Sequence, residues 1–402
     1  MKNSNQASLV PSKKGITRRE GMMLTVLGSA LLMAGCGGGG GGGTTASVPT
    51  GGTGSSATGA ITGFGSIIVG GVRFDDSAAS ILDDDGAGLN SGDLKLGMVV
   101  RIKGGKKTDD GSSVRAKAES IEVHSELQGP VDSKTANSIV VLGQTVKISA
   151  TTFFEDGLSL ATLAVGAVVE VHGFVDPANN NLTATRIESK PNAKVFKLQG
   201  AISALNTATK TFTIGTLTIS YLTAVLPSSL TLANGSVVRV RLATTPVNGT
   251  WTALKVQKFE IEQEDRNEAE VEGIITTFDS STRFSVNGLP VNASAAVVPA
   301  GLKLGARVEV EGSLVSGVLV AKKVQLEDGA DAAKFELHGT LSLLDTTAKT
   351  FVLRGMKVKY DSATTFSVGV TALTLANGIN LEVKGMRSDA NVILATQISL
   401  ER

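Results

Sequence analysis

A chain of 402 residues with only one cysteine is too long for one ordinary domain and cannot rest on a disulfide framework. Hydrophobic residues make up 42% and aromatics 4%, so cores must be built from Val, Ile, Leu and Ala rather than from large rings. The formal charge of +1 includes a basic leader; without residues 1–35 there remain 33 basic against 36 acidic side chains, a net of −3, which leaves no electrostatic footprint for nucleic acid.

The leader comes first. Lys13, Lys14, Arg18 and Arg19 precede an apolar run from Met22 to Ala34. That run has the length of a signal-peptide core and falls short of the ~20 residues that span a bilayer. It ends in Leu32-Met33-Ala34-Gly35-Cys36, which resembles the bacterial lipobox. The resemblance implies cleavage between Gly35 and Cys36 and acylation of Cys36, with the membrane as a partner through those acyl chains. More than one acyl chain gives stable anchoring. Thr17-Arg18-Arg19 is similar to part of a twin-arginine signal, and the export route stays open. Gly37 follows Cys36 where a retained lipoprotein would carry Asp, so the expected location is the outer membrane, on its periplasmic or outer face.

Gly37–Gly43 is an unbroken glycine run, and the residues after it are small and polar. Such a segment cannot bury enough apolar surface to offset its ordering entropy. Residues 36–57 are therefore expected to form a flexible tether of roughly 25 Å. No strand precedes the run and no GK[ST] follows it, so it is not a phosphate loop.

From residue 58 the chain repeats itself. A glycine opens an alternating stretch at Gly97, Gly166, Gly235, Gly305 and Gly378, at intervals of 69, 69, 70 and 73 residues. A second glycine stands seven places on at Gly104, Gly173, Gly312 and Gly385, with Leu242 breaking the rule in the third copy. Each unit opens at Gly59, Gly129, Gly200, Gly273 or Gly339. Hairpin turns are expected near Gly71, Gly143, Gly215, Gly288 and Gly355. Each unit closes on Ala three residues before an aliphatic, as in Ala184/Ile187 and Ala321/Val324. Inside a unit, polar and apolar residues alternate, as in Val308-Glu309-Val310-Glu311, the mark of strands with one buried face.

The expected fold is thus all-β: a signal peptide and Gly-rich tether, then five tandem five-stranded barrels, OB-like or alternatively SH3-like. Their bounds are 58–126, 127–195, 196–267, 268–332 and 333–402. A unit of this size is marginal alone, so neighbours are expected to pack or share strands. Laid end to end, five such units would reach on the order of 140 Å.

The combination of GxI, an FxVxGxxV hairpin, LxxGxxVEVEG and AxxI resembles a bacterial repeat known as domain of unknown function 5666. Leu304–Gly312 and the segment GFGSIIVGGVRF at 63–74 carry the resemblance most clearly. It covers most of residues 58–402, implies a fold rather than a chemistry, and brings no catalytic residues with it.

Chemistry-bearing residues are sparse. His124, His172 and His338 lie in different units with no Cys or second His at ligand spacing, and are expected to be solvated on polar strand faces, with no metal site. No GxSxG and no nucleophile–base pair is visible, so no catalytic residue is assigned. Asp83-Asp84-Asp85-Gly86 with Asp93 misses the EF-hand spacing, although calcium stays open there. The acids from Glu260 to Glu272 alternate at a unit boundary and fit a wet face. Trp251, Tyr221 and Tyr360 fall on expected strands and are read as packing residues. The expected function is that of a non-enzymatic, lipid-anchored envelope protein without cofactor, a spacer, scaffold or protein-interaction array. The alternative is a binding module for surface polysaccharide or a small ligand.

Overall fold

In the computed structural model, residues 54–401 are described apart from 112, 177–178, 180, 260–263, 328–333 and 390–391. The leader, Cys36 and the glycine run lie outside the described residues.

Alternation produces five barrels (I–V) on one plan, clearest in barrel IV. Its strands are Arg266–Ser280, Arg283–Val286, Leu289–Asn292, Arg307–Val315 and Val318–Leu326. The first pairs antiparallel with both the second and the fourth, the second with the third, and the fourth with the fifth. The third runs parallel to the fifth, Val291 opposite Leu319, and closes the circuit 1-2-3-5-4-1. The same parallel closure recurs in barrels I, II, III and V. It is the circuit of an OB-like barrel; an SH3-like arrangement does not place third and fifth strands side by side in parallel.

Two local rules write this plan into the sequence. The second and third strands are joined by two-residue turns, and Asn287-Gly288 with φ of 48° and 86° is the clearest. Both residues are left-handed there, which matches the twist of a hairpin. The fourth-strand glycine, seven places after the one that opens the stretch, sits where the chain slips by one residue against the fifth strand, at His172/Gly173, Glu311/Gly312 and Lys384/Gly385. A Cβ on Gly312 would lie 2.1 Å from the Val320 carbonyl oxygen, so the bulge admits no side chain. Barrel III makes the same slip at Arg241/Leu242 and buries Leu242 instead. Between third and fourth strands the chain crosses over irregularly, with a single 3-10 turn at Ser91–Asp93 and no α-helix among the described residues.

The inward side chains are those the alternation selects. Val308, Val310, Val271, Phe284 and Leu319 fill barrel IV, and Phe212 and Phe351 stand where Phe284 does in barrels III and V. Burial of each large side chain contributes about 1.5–3 kcal/mol.

Barrel I begins at Ser55, three residues inside the segment read as tether. Ser55–Thr58 is held on both edges, antiparallel to Arg101–Gly104 of its own barrel and parallel to Glu268–Val271 of barrel IV. Gly63–Phe64 runs parallel to Glu336–Leu337 of barrel V, and Lys197 of barrel III pairs with Gln128 of barrel II. Apolar contacts follow the same joints. Phe153 of barrel II meets Phe335 of barrel V edge to face at 4.7 Å, and Ala60, Val99, Phe174 and Ile274 form a small cluster from barrels I, II and IV. The barrels are joined side by side through their first strands. This overturns the end-to-end arrangement, and with it the reach of ~140 Å.

Candidate functional site

The outward strand faces, expected to be wet, form the joints. His124, His172 and His338 are 5%, 2% and 6% exposed, not solvated. Each stands two residues after a glutamate, in Glu122-Val123-His124, Glu170-Val171-His172 and Glu336-Leu337-His338. Strand period two sets both polar side chains outward, and in this protein outward means toward another barrel. The shared Glu-x-His spacing was the sequence signal for these positions.

The three histidines are used differently. In barrel V, Nε2 of His338 lies 2.9 Å from Arg73 and 2.8 Å from Glu336, and Arg73 of barrel I also pairs with Glu336 and, at 3.6 Å, with Glu382. Burial opposes ionisation of Glu336, but bonds from His338 and Glu382 and the Arg73 charge hold it at about 2. In barrel I, Nδ1 of His124 accepts from Arg239 of barrel III at 3.0 Å. Burial pushes the His124 ring below its ordinary value, while His124, with Nε2 3.5 Å from the carboxylate, holds Glu122 at about 2. In barrel II, Nδ1 of His172 lies 2.7 Å from the His124 carbonyl oxygen. A carbonyl only accepts, so Nδ1 carries the proton; Nε2 is buried and has no hydrogen-bond partner among the described residues. Among the described residues, no hydroxyl or thiol is bonded to any of the three rings.

The acidic clusters are joints too. Asp84 binds Lys197 of barrel III at 2.9 Å and lies 3.8 Å from Arg241, which also pairs with Asp85. Cationic side chains thus already face the carboxylates considered for calcium. Of the second cluster, Glu260 and Glu262 lie outside the described residues, and Glu264 is exposed beside Lys103 and Arg266. Glu270 and Glu272 are buried, which corrects the wet-face reading. Glu270 meets Lys107 of barrel I at 3.0 Å; Glu272 pairs with Arg307 and accepts the Ala60 amide at 3.0 Å. Burial and the nearby Glu270 push Glu309 up to about 8.

The aromatic residues are packing residues. Trp251 lies 5.9 Å from Phe196, Tyr221 5.7 Å from Phe212, and Tyr360 is buried against Phe351 at 6.2 Å.

Walls from barrels I, II, III and V line an open cavity of about 830 Å³. Asp84, Glu170, His172, Glu188, Lys190 and Lys197 give it a charged wall, and Phe64, Leu96 and Phe154 an apolar one. Burial resists the charge on Glu170, but His172, Lys197 and Lys190 outweigh it and hold the carboxyl at about 2. A second cleft of about 570 Å³ lies between barrels I, IV and V, with Arg307, Glu309, Glu336 and Lys384 on its walls. Neither space is legible in a single repeat, because each is made by several barrels.

Five segments of the chain, 58–118, 128–188, 199–257, 261–325 and 338–399, match the family described as Domain of unknown function (DUF5666). No curated protein matches. Among solved structures, one titled drosophila Unr CSD456 is similar over 51% of this chain and 98% of that one, at 13% identity and a TM-score of 0.14, too low to carry an argument.

Proposed function

Because this chain belongs to the DUF5666 family, with five copies of its domain in tandem, we propose that it is a non-enzymatic cell-envelope protein, anchored by lipid on Cys36, whose joined barrels act as a scaffold. The observation that carries this is the side-by-side joining. Main-chain ladders from barrel I to barrels IV and V, and a single strand pairing between barrels II and III, make a block that can hold partners at fixed spacing. A spacer of separate beads finds no support in it. The acyl anchor rests on Gly35-Cys36 and the apolar run before them, and the outer location on Gly37 where Asp would retain the protein.

Protease shaving of intact cells, with mass spectrometry of released peptides from residues 58–402, tests the location. Release places the barrels outside the cell and directs the search to adhesion, matrix or surface polysaccharide. Protection that is lost on permeabilisation places them in the periplasm. Membrane association that survives Cys36→Ser removes the lipid anchor from the proposal. Small-angle scattering tests the block, which a string-like profile would overturn.

A second reading, a binding module for a small polar ligand or a sugar, is favoured by the cavity of about 830 Å³ with its mixed charged and apolar walls.

A further inference from the structure

On the outer face of barrel II, Glu170 and His172 alternate outward on the fourth strand, between Val169 and Val171 that point into the core. Glu188 of the fifth strand stands directly opposite Glu170. Two carboxylates facing each other across a ladder repel and require a cation. One nitrogen of His172, one oxygen of Glu170 and one of Glu188 lie within 4.8 Å of one another, on the wall of the large cavity.

The histidine is the second, independent observation. Its Nδ1–H is committed to the His124 carbonyl at 2.7 Å, which fixes the ring and leaves the Nε2 lone pair outside that bond. Among the described residues Nε2 has no hydrogen-bond partner, although the side chain is 2% exposed. An imidazole oriented by a backbone carbonyl, with its Nε2 unbonded and a ring nitrogen within 4.8 Å of two carboxylate oxygens, is the arrangement of a metal ligand set.

Barrel V supplies the contrast. Glu336, His338 and Glu382 form a group of the same composition. There the Arg73 guanidinium bonds Nε2 of His338 and pairs with both glutamates. That group is filled by a cation of the chain itself. In barrel II, Lys190 lies 3.0 Å from Glu170 and 2.9 Å from Glu188, yet leaves Nε2 untouched, and its side chain is 38% exposed. Lys197 at 3.3 Å from Glu170, and Arg186 at 2.5 Å from Glu188, complete the charged surroundings. Lys197 also has Asp84 to hold it, and Arg186 also donates to the Leu96 carbonyl, so Lys190, the most exposed of the three, is the cation that a metal ion can replace with least disturbance.

We propose that Glu170, His172 and Glu188 bind a divalent transition-metal ion of the zinc type, which takes the place of the Lys190 ammonium. One imidazole with two carboxylates suits zinc better than magnesium or calcium, which prefer oxygen alone. The site stands apart from the anchoring proposal and holds whether or not Cys36 is acylated.

The test is zinc titration of the full-length chain in detergent, by calorimetry and by metal content after dialysis. The native chain is expected to bind about one equivalent, with a dissociation constant of about 10 µM or tighter. His172→Gln, whose amide can still donate to the His124 carbonyl, should weaken binding by about tenfold or more. Glu188→Gln should do the same. Lys190→Met should tighten binding, and His338→Gln should leave it unchanged. Melting curves establish that each variant is folded. A native chain that takes up no zinc overturns the proposal, as does equal affinity in His172→Gln or a loss in His338→Gln.

Discussion

Neutralising Glu309 tests whether the outward faces are true joints. In barrel IV, burial favours the protonated form of both Glu309 and Glu270 on the face that meets barrel I. The charges around them are Lys107 of barrel I on Glu270, Arg307 on Glu272, Lys323 near Glu309, and the further acids Glu272 and Glu311. Burial and Glu270 raise Glu309 from an ordinary 4.5 to about 8. The folded protein therefore holds a proton that the unfolded chain releases near 4.5. Its stabilising effect is complete below that pH and is lost as the pH rises through about 8. Taken alone, the shift corresponds to about 4–5 kcal/mol; partial solvent contact and the linked titration of Glu270 reduce this to ~2 kcal/mol. Glu309→Gln keeps the neutral shape and removes the titration. Urea unfolding at about pH 5 and about pH 9 should then show the native chain losing ~2 kcal/mol more than the variant. Hydrogen exchange at Ser56–Thr58 should report the same difference at the joint. Parallel pH profiles for the two proteins, or a variant less stable than the native chain at the higher pH, would refute the reasoning.

Other perturbations address other levels of the structure. Gly312→Ala puts a Cβ against the Val320 carbonyl oxygen and should cost about 2 kcal/mol or more, read as a lower melting temperature. Phe153→Ala removes a buried ring packed on Phe335 and should cost about 3–4 kcal/mol, with faster exchange in Lys334–Gly339 as the local sign that barrel V has loosened. Arg73→Met strips the guanidinium from Glu336, Glu382 and His338 and should cost about 3 kcal/mol in urea unfolding. In that variant, a second substitution Glu336→Gln should recover part of the loss, because the uncompensated charge is the larger cost.

How much of this was legible in the sequence differs sharply between the inside and the outside of a barrel. Alternation such as Val308-Glu309-Val310 names the side chains that turn inward, and a two-residue signal such as Asn287-Gly288 fixes the hairpin register. Glycines at Gly312 and its counterparts mark the bulge because a carbonyl oxygen leaves no room for a Cβ. These are local constraints, met within one copy. Whether the opposite face meets water or protein depends on what lies beyond the barrel, and period two carries no information about that. Glu270, Glu272 and the three histidines were misread for this reason. A charged residue in a strand looks the same whether its partner is solvent or Arg73 from another repeat. Glu-x-His, present at all three histidines, was the available clue, since an imidazole beside a carboxylate invites a third group to complete it.

The joining of the barrels follows from a defect in their closure. In each barrel the first strand spends its beginning on the fourth strand and its end on the hairpin, as Gly59 opposite Val100 and Gly63 opposite Ile68 show in barrel I. The beginning of that strand therefore keeps one unpaired edge, and an open edge is a template for another strand. Barrels I and IV set these edges against each other in parallel, from Ser55 opposite Glu268 to Thr58 opposite Val271. Barrels II and III do so antiparallel, through Gln128 and Lys197, and barrel V gives Glu336–Leu337 to Gly63–Phe64. Ladder hydrogen bonds are not selective, because any extended strand offers them. Selectivity has to come from the side chains beside the ladder, and those are the buried ion pairs: Lys107 on Glu270, Arg73 on Glu336, Lys197 on Asp84 and Glu170. Buried pairs add little net stability but penalise a wrong partner strongly, since a mismatched joint strands a charge away from water. Five repeats with near-identical backbones thus find their places by charge, while the backbone supplies the adhesion.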